Sequence, residues 1–200
     1  MRRLILLLPL LLLPAACGDS PLREVAAQLL PPRSAGGESL PPGPGLRLSL
    51  GGAGVAAQLL REQGDRRLWR SADGVAVEMQ GPRVVATAGL PVMLAASRLE
   101  GPDPLADPAA LVDRPAEYRR VVDLMGADRE PENMRFGLAF DCRAAAQRQG
   151  ELLLVAEECR GEEGGHSNRF RILAATGEVV ESEQWIGPGL PALRIRHPQH

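Results

Sequence analysis

Glu157, Glu158 and Cys159 stand in one short run, with Cys142 seventeen positions upstream and Glu162, Glu163 and His166 just downstream. Three chemistries suit these residue types. Two thiols at corresponding ends of neighbouring strand candidates form a disulfide in an oxidising compartment, and closing a loop of this size contributes about 3 kcal/mol. Cys159 with Glu162, Glu163 and His166 offers metal-ligand types. Their spacing matches no zinc pattern and only one cysteine takes part, so the disulfide is preferred and no metal is assigned. Paired carboxylates could hydrolyse a glycosidic bond if two faced each other across a cleft. An acidic run in a loop is ordinarily a solvated surface, so no catalytic residue is assigned. The carboxylates carry only the alternative reading, a periplasmic polysaccharide-modifying enzyme. His166, His197 and His200 lie in a Gly/Glu-rich loop and at the C-terminus, where they are expected to be solvated.

Other chemistry is excluded by type. All 23 basic residues are arginine, which removes Schiff-base, P-loop-lysine and Ser-x-x-Lys chemistry. No Gly-x-Ser-x-Gly elbow is present. Gly52-x-Gly54-x-x-Ala57, with Asp73 further on, imitates a dinucleotide-binding turn. The alternation of strand and helix that must follow is missing, and Asp73 fits a hairpin turn better. No cofactor is expected. A net charge of −2 argues against nucleic acid as a partner. Trp69 and Trp185 lie on strand candidates, where each serves either as a polysaccharide contact or as a core aromatic, the commoner use.

The N-terminus supplies an address. Met1-Arg2-Arg3, the apolar run Leu4 to Leu13 and Pro14-Ala15-Ala16-Cys17 form the three parts of a secretory signal, too short to span a bilayer. The segment resembles a bacterial lipoprotein signal. Ala15, Ala16 and Cys17 match the lipobox, while Pro14 replaces the usual leucine. On this reading residues 1–16 are removed and Cys17 is lipidated, anchoring the chain. Gly18 in the second mature position points to the outer membrane by the enterobacterial sorting rule.

These residues need elements to hold them. Residues 21–30 suit a short helix. Nine of the fifteen residues 31–45 are proline or glycine, and the 17–45 segment is expected to be a tether. Residues 46–200 should form the folded body. Within it Arg67–Ser71 and Val75–Gln80 flank Asp73-Gly74, a hairpin signal, and RVVAT follows from Arg83. Residues 101–116 carry four prolines and read as a loop with a helical turn. Further strands are expected at 118–125, 134–142, 151–159, 168–174, 178–185 and 192–196, whereas 55–61 is left open between helix and strand. Sequential strands with short turns predict a mainly β fold, an antiparallel meander forming a barrel-like or sandwich domain.

Several phrases resemble the YjbF/GfcB lipoprotein family, associated with exopolysaccharide and group 4 capsule production. They include Leu68-Trp69 with Asp73-Gly74, GPRVVATAGLPVML from Gly81, and Tyr118 with Arg120. Phe140-Asp141-Cys142, Glu157-Glu158-Cys159, Asn168-x-Phe170 and Ser182-x-Gln184-Trp185-Ile186 continue the match in order. Arg171 departs from the aromatic expected after Phe170. The resemblance implies a periplasm-facing outer-membrane lipoprotein, a non-enzymatic accessory in polysaccharide production or export. Its partners would be export or assembly proteins, with polysaccharide itself a candidate ligand. The shared arginines would either determine the fold or steer an acidic polymer.

Overall fold

Along most of the chain apolar and polar residues alternate, and a strand then presents one set to each side. The computed structural model describes residues 45–197, which belong to one compact unit. The signal peptide, Cys17, the 21–30 helix, the tether up to residue 44 and His200 lie outside the described residues. Twelve strands follow one another: β1 (Gly45–Leu50), β2 (Val55–Gln63), β3 (Arg66–Ser71), β4 (Ala76–Gln80), β5 (Arg83–Ala88) and β6 (Val92–Glu100) come first. After them come β7 (Ala116–Gly126), β8 (Arg135–Gln149), β9 (Leu152–Gly161), β10 (Gly164–Leu173), β11 (Val179–Gln184) and β12 (Leu193–Arg196). The only helical pieces among the described residues are three 3₁₀ turns, at Pro104–Ala106, Ala110–Val112 and Pro131–Asn133.

Except for β5 and β6, each strand pairs antiparallel with its sequence neighbours, and β1 pairs with β12. The result is a nearly closed antiparallel barrel. Its seam lies between β5 and β6, which pack together without a backbone ladder. Side chains stitch the seam instead. The Leu94 amide donates to Thr87 Oγ1 at 2.9 Å. Gln184, reaching in from β11, accepts from the Val84 amide at 2.9 Å and donates to the Pro82 carbonyl at 2.8 Å. Edge-strand backbone groups that would be orphaned inside the protein are thereby satisfied. Gly89 turns the chain from β5 to β6 at φ +81, and a Cβ there would stand 2.6 Å from the Gly74 carbonyl oxygen. Only glycine fits that turn without strain.

Leu94, Leu153, Phe170, Ile172, Ile186, Leu193 and Ile195 fill the interior. The 101–115 connection lies at the end of the barrel that carries the β2–β3, β4–β5, β8–β9 and β10–β11 turns, with Leu105 and Leu111 buried. The outer wall is charged. Arg66–Glu78 (3.1 Å), Arg119–Asp141 (3.0 Å), Arg196–Glu181 (3.0 Å) and Arg194–Glu183 pair across strands on it. A barrel immersed in lipid needs an outward apolar band about 25 Å tall, and this wall is the reverse of one. No described helix is long and apolar enough to cross a membrane.

The mainly β, barrel-like expectation holds, and the Asp73-Gly74 hairpin is present. Three local readings change. Residues 45–50 form β1, so ordered pairing begins at Gly45, inside the expected tether. The 92–100 stretch is a strand that its mixed pattern concealed. The open segment 55–61 belongs to a strand, and Gly52 and Gly54 lie in the turn before it. Strand therefore follows strand where a dinucleotide fold requires a helix.

Candidate functional site

The inward faces of β7 to β11 carry an unusual share of polar residues. In register, Tyr118 of β7 lies opposite Cys142 of β8, Cys142 opposite Cys159 of β9, and Cys159 opposite His166 of β10. One step along, Ala144 lies opposite Glu157 and Glu157 opposite Asn168. Cys142 and Cys159 are joined as a disulfide, with Cα atoms 4.0 Å apart. This removes Cys159 as a metal ligand, and no cluster of potential metal ligands occurs among the described residues.

Period-two geometry separates the carboxylates. Glu157 points inward and is fully buried, while Glu158, Glu162 and Glu163 are exposed. The acidic run was expected to be solvated throughout, and Glu157 corrects that. Arg83 of β5 grips it through Nη2–Oε1 at 2.6 Å and Nη1–Oε2 at 3.0 Å. The same guanidinium grips Asp103, beyond the end of β6, through Nη2–Oδ1 at 2.7 Å and Nε–Oδ2 at 2.8 Å. Asn168 Nδ2 donates to Glu157 Oε2 at 3.0 Å, and Asn168 Oδ1 accepts from the Trp185 amide at 2.8 Å. Burial alone would lower the Arg83 pKa. Glu157 and Asp103 outweigh it and hold the cation above its ordinary value. Buried pairs of this kind contribute little net stability but cost several kcal/mol when one member is removed. Both carboxylate oxygens of Glu157 are engaged in this way. The Tyr118 hydroxyl, pushed upward in pKa by burial and by Glu157, is held neutral beside it.

Arg120 of β7 forms a second centre. It is 3 % exposed, donates through Nε to Ser97 Oγ at 2.8 Å, and places Nη1 3.3 Å from His166 Nε2. Arginine can only donate, so Nε2 is the acceptor and the imidazole proton sits on Nδ1. Burial and the neighbouring Arg83 lower the Arg120 pKa to about 10, which leaves it cationic at neutral pH. Burial and Arg120 push His166 down to about 4, so its ring is neutral. His166 was expected in a solvated loop. It is instead 9 % exposed on β10, because Gly164 and Gly165 extend the strand where a loop was read.

Aromatic rings complete this centre. His166 stacks on Trp185 with centroids 4.2 Å apart and planes 14° from parallel. Phe140 meets His166 edge-on at 4.7 Å and Trp185 at 5.7 Å. The Arg120 guanidinium lies 5.8 Å from the indole centroid, within cation–π range. Phe140 reaches this position because Gly161 lies beside it, where a Cβ would stand 2.9 Å from Phe140 Cδ1 and 2.4 Å from the Ala139 carbonyl oxygen. The cluster lines a cavity of about 220 Å³ at the end of the barrel that carries the β7–β8, β9–β10 and β11–β12 connections. Leu124, Leu138 and Pro188 add apolar walls, and the Arg135–Glu163 ion pair stands among the lining residues.

The two tryptophans thus separate. Trp185 is half-buried and lines this cavity, whereas Trp69 is 6 % exposed in the core beside another cavity at the opposite end. His197 is half-buried at that opposite end, not freely solvated as expected, and burial lowers its pKa. The arginines expected to steer a polymer divide likewise, with Arg83 and Arg120 inside the barrel and most others on its wall. Residue order concealed the Arg120–His166–Trp185 grouping. The one signal available was the period-two spacing of His166, Asn168 and Phe170, which puts all three on one face.

Residues 42–197 match the model of a protein family described as group 4 capsule polysaccharide lipoprotein gfcB, YjbF. Among solved structures, the hypothetical lipoprotein YmcC from Escherichia coli superposes with a TM-score of 0.67 at 18% sequence identity, covering 91% of this chain and 98% of that one. At that identity the likeness is one of fold. A comparison with curated proteins finds no match.

Proposed function

From the premise that this chain belongs to the YjbF family of group 4 capsule polysaccharide lipoproteins, we propose that it is a non-enzymatic accessory in exopolysaccharide or capsule production or export. The family match across the whole folded body carries the reading. On it the protein is anchored in the outer membrane through Cys17 and faces the periplasm, working with export or assembly proteins. The Ala15-Ala16-Cys17 sequence and Gly18 support that placement. The charged wall supports it too, since such a barrel cannot attach by immersion and needs a separate anchor.

The geometry also bears on catalysis. Glycosidases of the common kind need two carboxyl groups about 5–10 Å apart across a cleft. Here Glu157 is locked to Arg83 inside, Glu158 faces outward, and Glu163 pairs with Arg135. Deleting the gene in a polymer-producing strain and weighing secreted polysaccharide tests the reading. A clear fall that is restored by the wild-type gene is expected, and unchanged polymer overturns it.

A further inference from the structure

Across the outward positions of four neighbouring strands the barrel wall is strongly positive. Arg169 and Arg171 of β10 lie opposite Glu183 and Glu181 of β11, and these lie opposite Arg194 and Arg196 of β12. Arg196 in turn lies opposite Arg47 of β1. Five arginines thus surround two glutamates, in a chain whose net charge is −2. Glu183 accepts from Arg194 Nε at 2.9 Å, and Glu181 accepts from Arg196 Nε at 3.0 Å. Arg169 stands 3.7 Å from Glu183, and the exposed Arg171 guanidinium has no ion pair or hydrogen bond among the described residues. Like charges on facing positions, as at Arg47 and Arg196, weaken a sheet. Cross-strand pairing accounts for Arg194 and Arg196, but it leaves Arg171 free and Arg169 loosely held.

Beside these two arginines the wall is hollow. Arg169 lies opposite Ala156 and Ala156 opposite Ala145, while Arg171 lies opposite Leu154. Two methyl groups among longer side chains leave a groove of about 510 Å³ on the outer face, with Ala145, Ala156 and Leu154 beside Arg169 and Arg171. Glu181 and Glu183 point outward, yet their side chains are only 16 % and 28 % exposed, as befits a concave wall. We propose that this groove and its arginine band bind an acidic polysaccharide, with a uronic-acid carboxylate gripped by Arg171 and Arg169 and the apolar face of its ring on Ala156 and Leu154. The proposal rests on the polysaccharide reading of the family and names the polymer class and the surface that takes it. Charge complementarity selects the anion, because the two glutamates are already held by Arg194 and Arg196 and the surplus cations face solvent. A guanidinium fork matches a carboxylate bidentately. The volume lies within the range of about 300–1,000 Å³ typical of ligand sites. Since the groove is on the outside, a chain can run on from it across Arg194, Arg196 and Arg47 without entering the barrel. A neutral sugar would leave that charge unused, and an acidic peptide has no rigid ring to fill the hollow.

The test uses the full-length lipoprotein in non-ionic detergent and the fluorescence anisotropy of end-labelled hexagalacturonate. We expect saturable binding that weakens as salt is raised. Unlabelled maltohexaose, the neutral counterpart, and hexaglutamate, the acidic peptide, should compete far less well than unlabelled hexagalacturonate. The double variant Arg169→Gln/Arg171→Gln should weaken binding about tenfold, as loss of two exposed charge contacts would. Arg98→Gln removes an exposed arginine of β6, away from the band, and should leave binding unchanged. Ala156→Phe fills the hollow without altering any charge and should also weaken binding, which separates a groove from general attraction to a polyanion. All four substituted positions are exposed, so circular dichroism should match the wild type. Absence of saturable hexagalacturonate binding overturns the site, as does wild-type affinity in the double variant or in Ala156→Phe. Competition by maltohexaose or hexaglutamate as strong as that by hexagalacturonate overturns the assigned ligand class. Loss of the family reading would be seen elsewhere, as unchanged polymer in the gene deletion, whatever these titrations show.

Discussion

Among single residues, His166 and Arg83 show how burial converts ordinary surface types into fixed components. Arg83 reached the interior only with two carboxylates to compensate it, one from β9 and one from beyond the end of β6. His166 entered as the neutral ring, and this makes stability depend on pH in a definite direction. Its pKa is about 4 in the fold against an ordinary 6.5, so between those values the unfolded chain binds a proton that the folded one does not. Stability is therefore full above about pH 6.5 and lost as pH falls toward 4. His197, also lowered by burial, adds in the same sense. Urea midpoints of the His166→Phe variant should fall less between pH 7 and pH 5 than those of the wild type. Identical pH dependence would show that His166 is not held neutral in the fold. None of this was legible from the local sequence, where Gly164-Gly165 beside two glutamates imitates a solvated turn. By contrast the Cys142–Cys159 pairing was legible, because two cysteines on successive strands of a meander meet whenever the hairpin register allows.

At the scale of elements, the hairpins were readable and the seam was not. Asp73-Gly74 and Gly177 announce their turns, and alternation announces β7 through β10. Strand β6 was missed because its outer half alternates poorly, Ala-Ala-Ser-Arg carrying little apolar signal. Its partner in the seam, β5, is buried on both faces and is joined there by side chains, its own Thr87 and Gln184 of β11, in place of a ladder. That division predicts a particular sensitivity. Gln184→Leu has nearly the right volume but leaves the Val84 amide and Pro82 carbonyl unpaired in the interior. It should cost about 2–6 kcal/mol of unfolding free energy, at a typical penalty of about 1–3 kcal/mol for each of the two orphaned groups. A substitution on the outer wall such as Gln147→Leu should cost far less, within about 0.5 kcal/mol. Equal denaturant midpoints for Gln184→Leu and wild type would show that the seam does not need this stitch.

For the whole molecule the decisive contrast is between wall and anchor. Cross-strand arginine–glutamate and arginine–aspartate pairs cover several outward faces, and each costs too much to place in hydrocarbon. On the proposed reading, membrane attachment resides in the N-terminal segment. A Cys17→Ser variant that is still exported should appear in the soluble periplasmic fraction, while the wild type sediments with membranes and is released only by detergent. Persistence of the Cys17→Ser protein in washed membranes would move the anchor elsewhere. Composition, periodicity and turn residues sufficed for the class of fold, the order of most strands and the cysteine pair, because each of those depends on contacts between sequence neighbours or adjacent strands. Arg83 with Glu157, 74 positions away, and Arg120 with His166, 46 positions away, are neighbours only because the sheet curls until its interior faces meet. Which polar side chains are compensated inside a barrel is decided by that closure, and no local pattern in the chain records it.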